Sequence, residues 1–196
     1  MEPLEIARKL EERFPDQVIE VTECRDQVGI VVRKDRIVEM LRWLHDDPSM
    51  QFNHLADLCG VDYLGKKDVR FEVVYNLYSI PLKHRIRIRA QVPEDDCQID
   101  TVTSIWMGAD WHESECFDLF GITFNNHPDM RRILLPEDWE GYPLRKDYPL
   151  DGGGKNWKGY DEVLEKSKRL RKYDFYGQYQ DPTKKTGLEE DAREQS

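Results

Sequence analysis

The side chains best suited to metal or redox chemistry in this chain are its four cysteines: Cys24, Cys59, Cys97 and Cys116. They lie far apart and form no Cys-x-x-Cys pair, whereas zinc sites, iron–sulfur clusters and redox dithiols use closely spaced thiolates. The spacing therefore predicts free thiols that bind no metal.

A second group of reactive side chains occurs in the segment DWHESECFDLFG. His112 beside Glu113, or Glu113 beside Glu115, supplies the residue types of acid–base or metal chemistry. The segment lacks the two histidines, four residues apart, that bind zinc in metalloproteases. We favour a structural interpretation, in which Asp110 caps a helix and Glu113 completes a capping box. Glu115 then interacts with the helix dipole or forms an ion pair, and Gly121 ends the helix.

Charged side chains are also dense just after this segment. His127 precedes a proline in the turn-like sequence HPDMRR, where an imidazole bonds the backbone or a carboxylate more often than it binds a metal. Arg131 and Arg132 follow, and the next acidic side chains are those of Glu137, Asp138 and Glu140. Because guanidinium groups pair with carboxylates in bidentate geometry, the sequence predicts a charged knot that fixes an irregular segment on the core or on a neighbour.

The elements that must position these groups follow from apolar periodicity and from runs of β-branched residues. They are a helix over 3–14, strands over 17–23 and 27–33, a helix over 35–48, strands over 52–64, 69–80 and 84–92, and helices over 100–108 and 110–121. Asp35 is expected to cap the second helix. This order predicts an α+β fold, with a mixed, largely antiparallel sheet covered by helices and followed by an extended, irregular C-terminal segment.

The last predicted strand carries a row of arginines. They alternate along the strand with apolar residues, with Arg85, Arg87 and Arg89 on one side and Ile86, Ile88 and Ala90 on the other. A hairpin turn over 81–83 joins this strand to the one before it. The row is either a solvated sheet face, which is the more common case, or a stripe that binds a partner.

The composition disfavours some classes of partner and of cellular location. The chain has 29 Lys and Arg against 39 Asp and Glu, a net charge of −10, which disfavours nucleic acid as a partner. No apolar run approaches the length of a membrane helix, and the first residues do not resemble a signal peptide, so we expect a cytoplasmic protein. The hydrophobic fraction of 39% is low for a single compact domain, which leaves room for partners.

The last part of the chain, residues 151–196, differs from the rest in its residue pattern. It lacks a core pattern but holds six of the 21 aromatic residues, which predicts a tail that docks on another surface. The glycines at 152–154 have neither a strand before them nor a GK[ST] after them, so they predict a flexible joint and not a phosphate loop. For the basic stretch at 166–172 we rank an acidic partner protein before lipid, and lipid before nucleic acid.

Residues 111–150 closely resemble the characteristic region of the 30 kDa subunit family of the proton-pumping NADH:quinone oxidoreductase, respiratory complex I. The resemblance rests on ordered elements: a Glu-x-Glu helix, DLFGI, HPDMRR and LPEDWEGYPLRKDYPL. Upstream, DLCGVDYL and FEVVYNLYS are similar to the family's sheet region. Ser114 stands where the family usually has arginine, so any ion pair that this arginine makes with another subunit is absent here or replaced.

The resemblance implies a hydrophilic subunit of the peripheral arm, on the cytoplasmic side of the cell membrane and attached to it only through the complex. Its chief partner would be the neighbouring subunit that resembles a hydrogenase large subunit and forms much of the quinone pocket. FMN and iron–sulfur clusters would belong to partner subunits, and this chain would hold no cofactor and no catalytic residue of its own. The residues expected at the interface or in the framework are Glu113, Glu115, Asp118, His127, Arg131, Arg132, Arg145 and Asp147.

We expect three parts: an α+β core over 1–120, a signature segment over 121–150 packed on core and partner, and an interaction tail over 151–196. Two alternatives stay open from the sequence. One is the homologous subunit of a membrane-bound hydrogenase or of a ferredoxin- or formate-linked complex. The other is a free-standing acidic module that binds proteins.

Overall fold

Alternating apolar residues build a five-stranded sheet in this chain, seen in a computed structural model that describes residues 2–25, 27–150 and 158–170. The strands are β1 (Val18–Cys24), β2 (Gln27–Arg33), β3 (His54–Asp62), β4 (Phe71–Ser79) and β5 (His84–Val92). Their spatial order is β1-β2-β5-β4-β3. Only β2 and β5 pair in parallel, and the other neighbours are antiparallel. The predicted mixed, largely antiparallel sheet is confirmed.

The two faces of the sheet differ in chemistry because side chains alternate along each strand. On one face Tyr75 pairs with Ile88 in register, and both are buried in the core. On the opposite face Val74 pairs with Arg89, and Asn76 pairs with Arg87. The arginine row predicted from the sequence is therefore present, and it lies on the face away from the core.

Three helices cover the core face: α1 (Pro3–Arg13), α2 (Ile37–Asp46) and α3 (Ala109–Phe120). Each contributes buried side chains to the same hydrophobic cluster as the strands, among them Leu10, Leu41 and Cys116. The expected cap at Asp35 is wrong, because α2 begins at Ile37 with Arg36 as its capping residue. Asp35 lies one residue too early for its carboxylate to serve the first turn.

The predicted helix over 100–108 is also wrong. Asp100 belongs to a short strand, β6 (Gln98–Asp100), which pairs in parallel with β7 (Thr123–Asn125), and turns follow as far as Gly108. The buried carboxylate of Glu113 accepts the Thr101 hydroxyl and the backbone N–H of Val102, so this stretch is tied to α3 instead of forming a helix.

The start of α3 also differs from the prediction. The capping residue is Gly108 and no side chain caps the helix, so the expected roles of Asp110 as cap and of Glu113 in a capping box are wrong. The end of the helix matches the sequence. Gly121 adopts a left-handed conformation with φ of 71°, and a Cβ there would lie 2.5 Å from the ring of Tyr142, so only glycine fits.

The chain divides into two compact units, Met1–Gly153 and Gly154–Ser196. In the second unit the structure describes one helix, α4 (Lys158–Leu170), within the region expected to lack a periodic pattern. The helix contains part of the basic stretch. The glycines at 152–154 and the aromatic residues from 173 onward lie outside the described residues. No helix within the described ranges is both long and apolar enough to cross a membrane.

We expect Gly60→Ala to lower the free energy of unfolding by about 1–3 kcal/mol, because an added methyl overpacks the contact between β3 and α3. A Cβ at Gly60 would lie 2.7 Å from Cδ2 of Phe120 and 3.0 Å from Sγ of Cys116. Gly108→Ala is the matched control, since nothing lies within 4 Å of its added methyl. Urea unfolding of both variants measures the difference, and equal stability of the two would contradict this account of the packing.

Candidate functional site

The signature segment over 121–150 has almost no regular structure, yet one buried carboxylate holds its centre in place. Oδ2 of Asp118, on α3, accepts three consecutive backbone N–H groups, from Ile133 (3.1 Å), Leu134 (2.7 Å) and Leu135 (2.9 Å). Oδ1 accepts a hydrogen bond from the guanidinium of Arg132 at 2.8 Å. The Asp118 side chain is fully buried, and both of its oxygens are hydrogen-bonded, as a buried carboxylate requires.

These bonds decide the charge state of Asp118. Burial alone raises the pKa of a carboxyl group. Here the Leu135 N–H, the Arg132 guanidinium and the other two N–H groups outweigh burial and hold the pKa of Asp118 below its ordinary value. The group is therefore a carboxylate near neutral pH.

Arg132 connects this anchor to the next turn of the chain. One terminal nitrogen donates to the carboxylate and to the backbone carbonyl of Asp118. The other donates to the carbonyls of Trp139 (3.1 Å) and Gly141 (3.0 Å), and the guanidinium lies 5.2 Å from the centre of the Tyr142 ring. The sequence predicted a knot of Arg131 and Arg132 with Glu137, Asp138 and Glu140, whereas the carboxylate that binds Arg132 is that of Asp118, which precedes the segment.

A second ionic cluster, centred on Arg70, fixes the end of the segment. The Arg70 guanidinium pairs with Asp62 at 2.9 Å and with Asp147 at 2.7 Å, and it also bonds Glu94. Asp62 in turn accepts the backbone N–H of Lys146 at 2.8 Å. The Arg70 hydrogen bond lowers the pKa of Asp147. Burial raises the pKa of Asp62. The hydrogen bonds from Arg70 and from two backbone N–H groups lower it by more, so the pKa of Asp62 also lies below its ordinary value.

Arg145 completes the attachment. Its Nε donates to the carbonyl of Phe120 at 2.6 Å, where the end of α3 leaves an unpaired acceptor. The guanidinium lies between two rings, 4.8 Å from the centre of Tyr142 and 5.0 Å from that of Phe71. Stacking of this kind suits arginine and not lysine.

His127 and Glu113 form a buried polar pair at the other end of α3. Nδ1 of His127 accepts the backbone N–H of Asp129 at 3.1 Å, so the proton lies on Nε2, which is 3.1 Å from the Asp110 carbonyl oxygen. Nε2 is also 3.8 Å from Oε2 of Glu113. Burial raises the pKa of Glu113 to about 7, although the bonds from Thr101 and Val102 partly oppose it.

The eight residues expected from the sequence thus occupy different environments. Glu113, Asp118, His127 and Arg132 are held inside the fold, and Arg145 and Asp147 join the segment to the sheet. Glu115 is exposed, and the Arg131 side chain is 70% exposed and pairs with Asp129. Ser114 is buried.

The sequence interpretation missed three exposed apolar residues, one just before α3, one on α3 and one in the signature segment. Met107 is 88% exposed, Trp111 is 70% exposed, and Leu134 is 60% exposed. Leu134 faces outward while its N–H is bound by Asp118, so its position is fixed. Trp111 lies two residues from buried Ala109 and from buried Glu113, and this helical spacing would have placed it on the outer side of α3.

The described residues offer no arrangement suited to a bound metal. Across these ranges, no group of three or more His, Cys, Asp or Glu side chains is placed to hold a metal ion. The cysteines that the structure describes are free thiols, and Cys116 is buried. Burial raises the pKa of the Cys116 thiol well above its ordinary value, so the thiolate that binds metals is disfavoured there.

We expect Asp118→Asn to lower the free energy of unfolding by about 3–5 kcal/mol, because it leaves Arg132 without its anion and three N–H groups facing a weaker acceptor. The control is Asp129→Asn, which breaks only the exposed pair with Arg131 and is expected to cost less than about 1 kcal/mol. Urea unfolding compares the two variants. Similar losses in both would contradict the anchoring role of Asp118.

Glu113 gives the stability of the protein a defined pH dependence. Its folded pKa of about 7 exceeds the ordinary value of 4.5. Between these values the unfolded chain loses a proton that the folded chain keeps, so the contribution of Glu113 is present below pH 4.5 and is lost as pH rises through 7. We expect a loss of about 3 kcal/mol over this range in the native chain, and no such loss from this site in Glu113→Gln.

Unfolding free energies at a series of pH values test this, with exposed Glu115→Gln as the control that keeps the native slope. Asp62, Asp118 and Asp147 have lowered pKa values, so their contributions are lost only at more acidic pH and do not obscure the slope. Identical slopes in the native chain and Glu113→Gln would show that Glu113 does not titrate in this way.

Comparison of the chain with known proteins identifies its family. The model of the family described as "Respiratory-chain NADH dehydrogenase, 30 Kd subunit" matches residues 30–153. An NADH-quinone oxidoreductase subunit of Geobacter sulfurreducens is 52% identical over 144 residues, which are 74% of this chain and 88% of the relative. The corresponding protein of Geotalea uraniireducens is 53% identical over 144 residues, 74% of this chain and 86% of that one.

A solved structure agrees with the sequence relatives. The trypsin-resistant fragment of Nqo5, residues 1–134, superposes with a TM-score of 0.57 at 32% identity and covers 66% of this chain and 99% of the fragment. The residues matched by the family model include β3 to β5, α3 and the segment pinned by Asp118. The chain therefore belongs to the family of the 30 Kd subunit of the respiratory-chain NADH dehydrogenase.

Proposed function

We propose that this chain is a scaffold subunit in the peripheral arm of NADH:quinone oxidoreductase, which couples electron transfer from NADH to quinone with proton translocation. Family membership supports this role, since the relatives from both organisms are subunits of NADH-quinone oxidoreductase. In the proposal the chain contributes geometry and binding energy and has no active site of its own. FMN and the iron–sulfur clusters belong to partner subunits.

The observation that carries the proposal is the way the signature segment uses its charges. Asp118, Arg132 and Arg70 form their hydrogen bonds with other groups of this chain, and these bonds fix the path of an irregular segment. A segment held this firmly without regular structure is suited to present a preformed surface, because less conformational entropy is lost when a partner binds. Nothing in this bonding pattern transfers a proton or a group.

The exposed side chains just before α3, on α3 and in the signature segment have the composition of a protein interface. Met107, Trp111 and Leu134 are exposed apolar side chains, and Glu115 and Arg131 supply exposed charges. Interfaces concentrate aromatic residues, Met and Arg, with a central anchor surrounded by polar groups. In the proposal this surface binds the quinone-pocket subunit and the neighbouring subunits of the arm. The complex holds the chain on the cytoplasmic side of the cell membrane.

The proposal is tested by purifying the affinity-tagged chain from its native membranes in mild detergent, with mass spectrometry of the recovered subunits and an assay of electron transfer from NADH to quinone. Recovery with flavin, iron–sulfur and quinone-pocket subunits in an active complex is the expected result. Recovery with hydrogenase-type subunits and no NADH module would overturn the assignment to this enzyme. A chain recovered alone would overturn the scaffold role altogether.

Trp111→Ala is expected to reduce recovery of partner subunits about tenfold or more, because large aromatic anchors dominate the binding energy of interfaces. The melting temperature should stay close to that of the native chain, since the Trp111 side chain is mostly exposed. Leu4→Ala, which truncates an exposed leucine on α1, is the control and should leave recovery unchanged. Equal recovery with both variants would exclude Trp111 as an anchor.

A further inference from the structure

The arginine row on the face of the sheet away from the helices divides into two parts with different partners. The Arg89 guanidinium pairs with Glu72 at 2.7 Å and donates to the Tyr63 hydroxyl at 2.8 Å. Lys67 also pairs with Glu72, at 2.6 Å. Because Arg89 is neutralised within the chain, it belongs to the structure of the sheet itself.

Arg87 and Arg85 are different. Arg87 is exposed, and neutral amides hold it: Nε donates to Asn76 Oδ1 at 2.9 Å and Nη2 donates to Gln27 Oε1 at 3.2 Å. Asn76 in turn donates to Asp57. Arg85 is exposed and has neither a hydrogen-bond nor an ion-pair partner among the described residues. Within the same ranges no carboxylate lies within ion-pair distance of Arg85 or Arg87.

These two guanidinium groups stand over a groove. The groove has a volume of about 450 Å³ and is lined by both arginines and by surface from Ala56 and Tyr78. A second depression of about 410 Å³ adjoins it and shares Arg87 as a lining residue. An ion pair formed over apolar surface is screened less by water than one on a fully solvated face.

The shape and charge of this groove define its occupant. We propose that the groove binds an extended acidic segment of a partner protein that carries carboxylates two residues apart. Side chains two residues apart on a strand face the same way and lie about 6–7 Å apart, which matches the spacing of Arg85 and Arg87 on β5. Arginine takes a carboxylate in bidentate geometry, and the amides of Asn76 and Gln27 already orient Arg87 for it.

The charge of the whole chain favours a short acidic segment over a larger polyanion. The net charge is −10, so a nucleic acid or an anionic membrane surface is repelled by most of the molecule. A few carboxylates that reach only into the groove gain the local attraction without that repulsion. The groove lies on the sheet face opposite α1, α2 and α3, so this interface is separate from the one proposed around Trp111.

The test measures binding of the full chain, at low ionic strength, to a fluorescein-labelled eight-residue peptide of serine and threonine with glutamates at its fourth and sixth positions. A second peptide has glutamine at both positions. Fluorescence anisotropy should show the glutamate peptide binding about tenfold more tightly, with the difference shrinking as salt rises. The double variant Arg85→Gln, Arg87→Gln should lose the difference, whereas Arg8→Gln on α1 should keep it.

Equal binding of the two peptides, or unchanged binding in the double variant, would overturn the proposal. A competition experiment tests whether other anions bind in the groove. Displacement of the peptide by inorganic phosphate or by phosphatidylglycerol vesicles at equal charge concentration would mark a general anion site and also overturn it. Thermal melting of each variant checks that the exposed substitutions leave the fold intact.

Discussion

The buried carboxylate of Asp118 is the constraint on which the rest of the signature segment depends. A buried charge is tolerated only when opposite charge and hydrogen bonds compensate for the lost water. Here the compensation comes from Arg132 and from three backbone N–H groups of the segment itself, so the segment must follow one path for the charge to be buried at all. Arg132 then carries the same constraint to the carbonyls of Trp139 and Gly141.

This arrangement links the chemistry of the segment to its proposed role. Several charged groups in and around it are paired within the chain, and the pKa values of Asp62, Asp118 and Asp147 are lowered by those contacts. The chain also exposes apolar side chains just before α3, on α3 and in the signature segment: Met107, Trp111 and Leu134. A turn whose ion pairs keep its shape while apolar side chains are exposed suits the proposed role of binding another protein.

Much of the fold could be predicted because local patterns and tertiary structure agree. Period-two alternation predicted β4 and β5, and helical spacing of apolar residues predicted α1 and α2. The sequence could not show that β2 pairs in parallel with β5, since pairing between Gly29 and Arg87, 58 residues apart, leaves no local trace. The helix prediction over 100–108 was wrong for a related reason, because Glu113, 11 residues after Val102, holds this stretch through a hydrogen bond from the backbone N–H of Val102. The strands β6 and β7 are also only three residues long, which is too short for a clear sequence pattern.

The sequence drew attention to several of these residues but could not show the partners that each has within the chain. Asp118, Arg132, Arg145 and Asp147 were expected as interface or framework residues, and the structure shows which contacts each makes within the chain. The partner of Arg132 was expected among the acids that follow it, whereas Asp118 on α3 is the group that binds it. Arg70 carried no motif, so its role as the centre of three carboxylates became visible only in three dimensions.

The most direct measurement of the central claim is hydrogen–deuterium exchange on the full chain, free and within the complex isolated from its membranes. The amides of Ile133, Leu134 and Leu135 should be protected in both states, because Asp118 binds them within the chain. Residues 107–115 should gain protection only in the complex. If the three amides exchange rapidly in the free chain and become protected only on assembly, the partner forms this surface, and the account of a preformed scaffold is wrong.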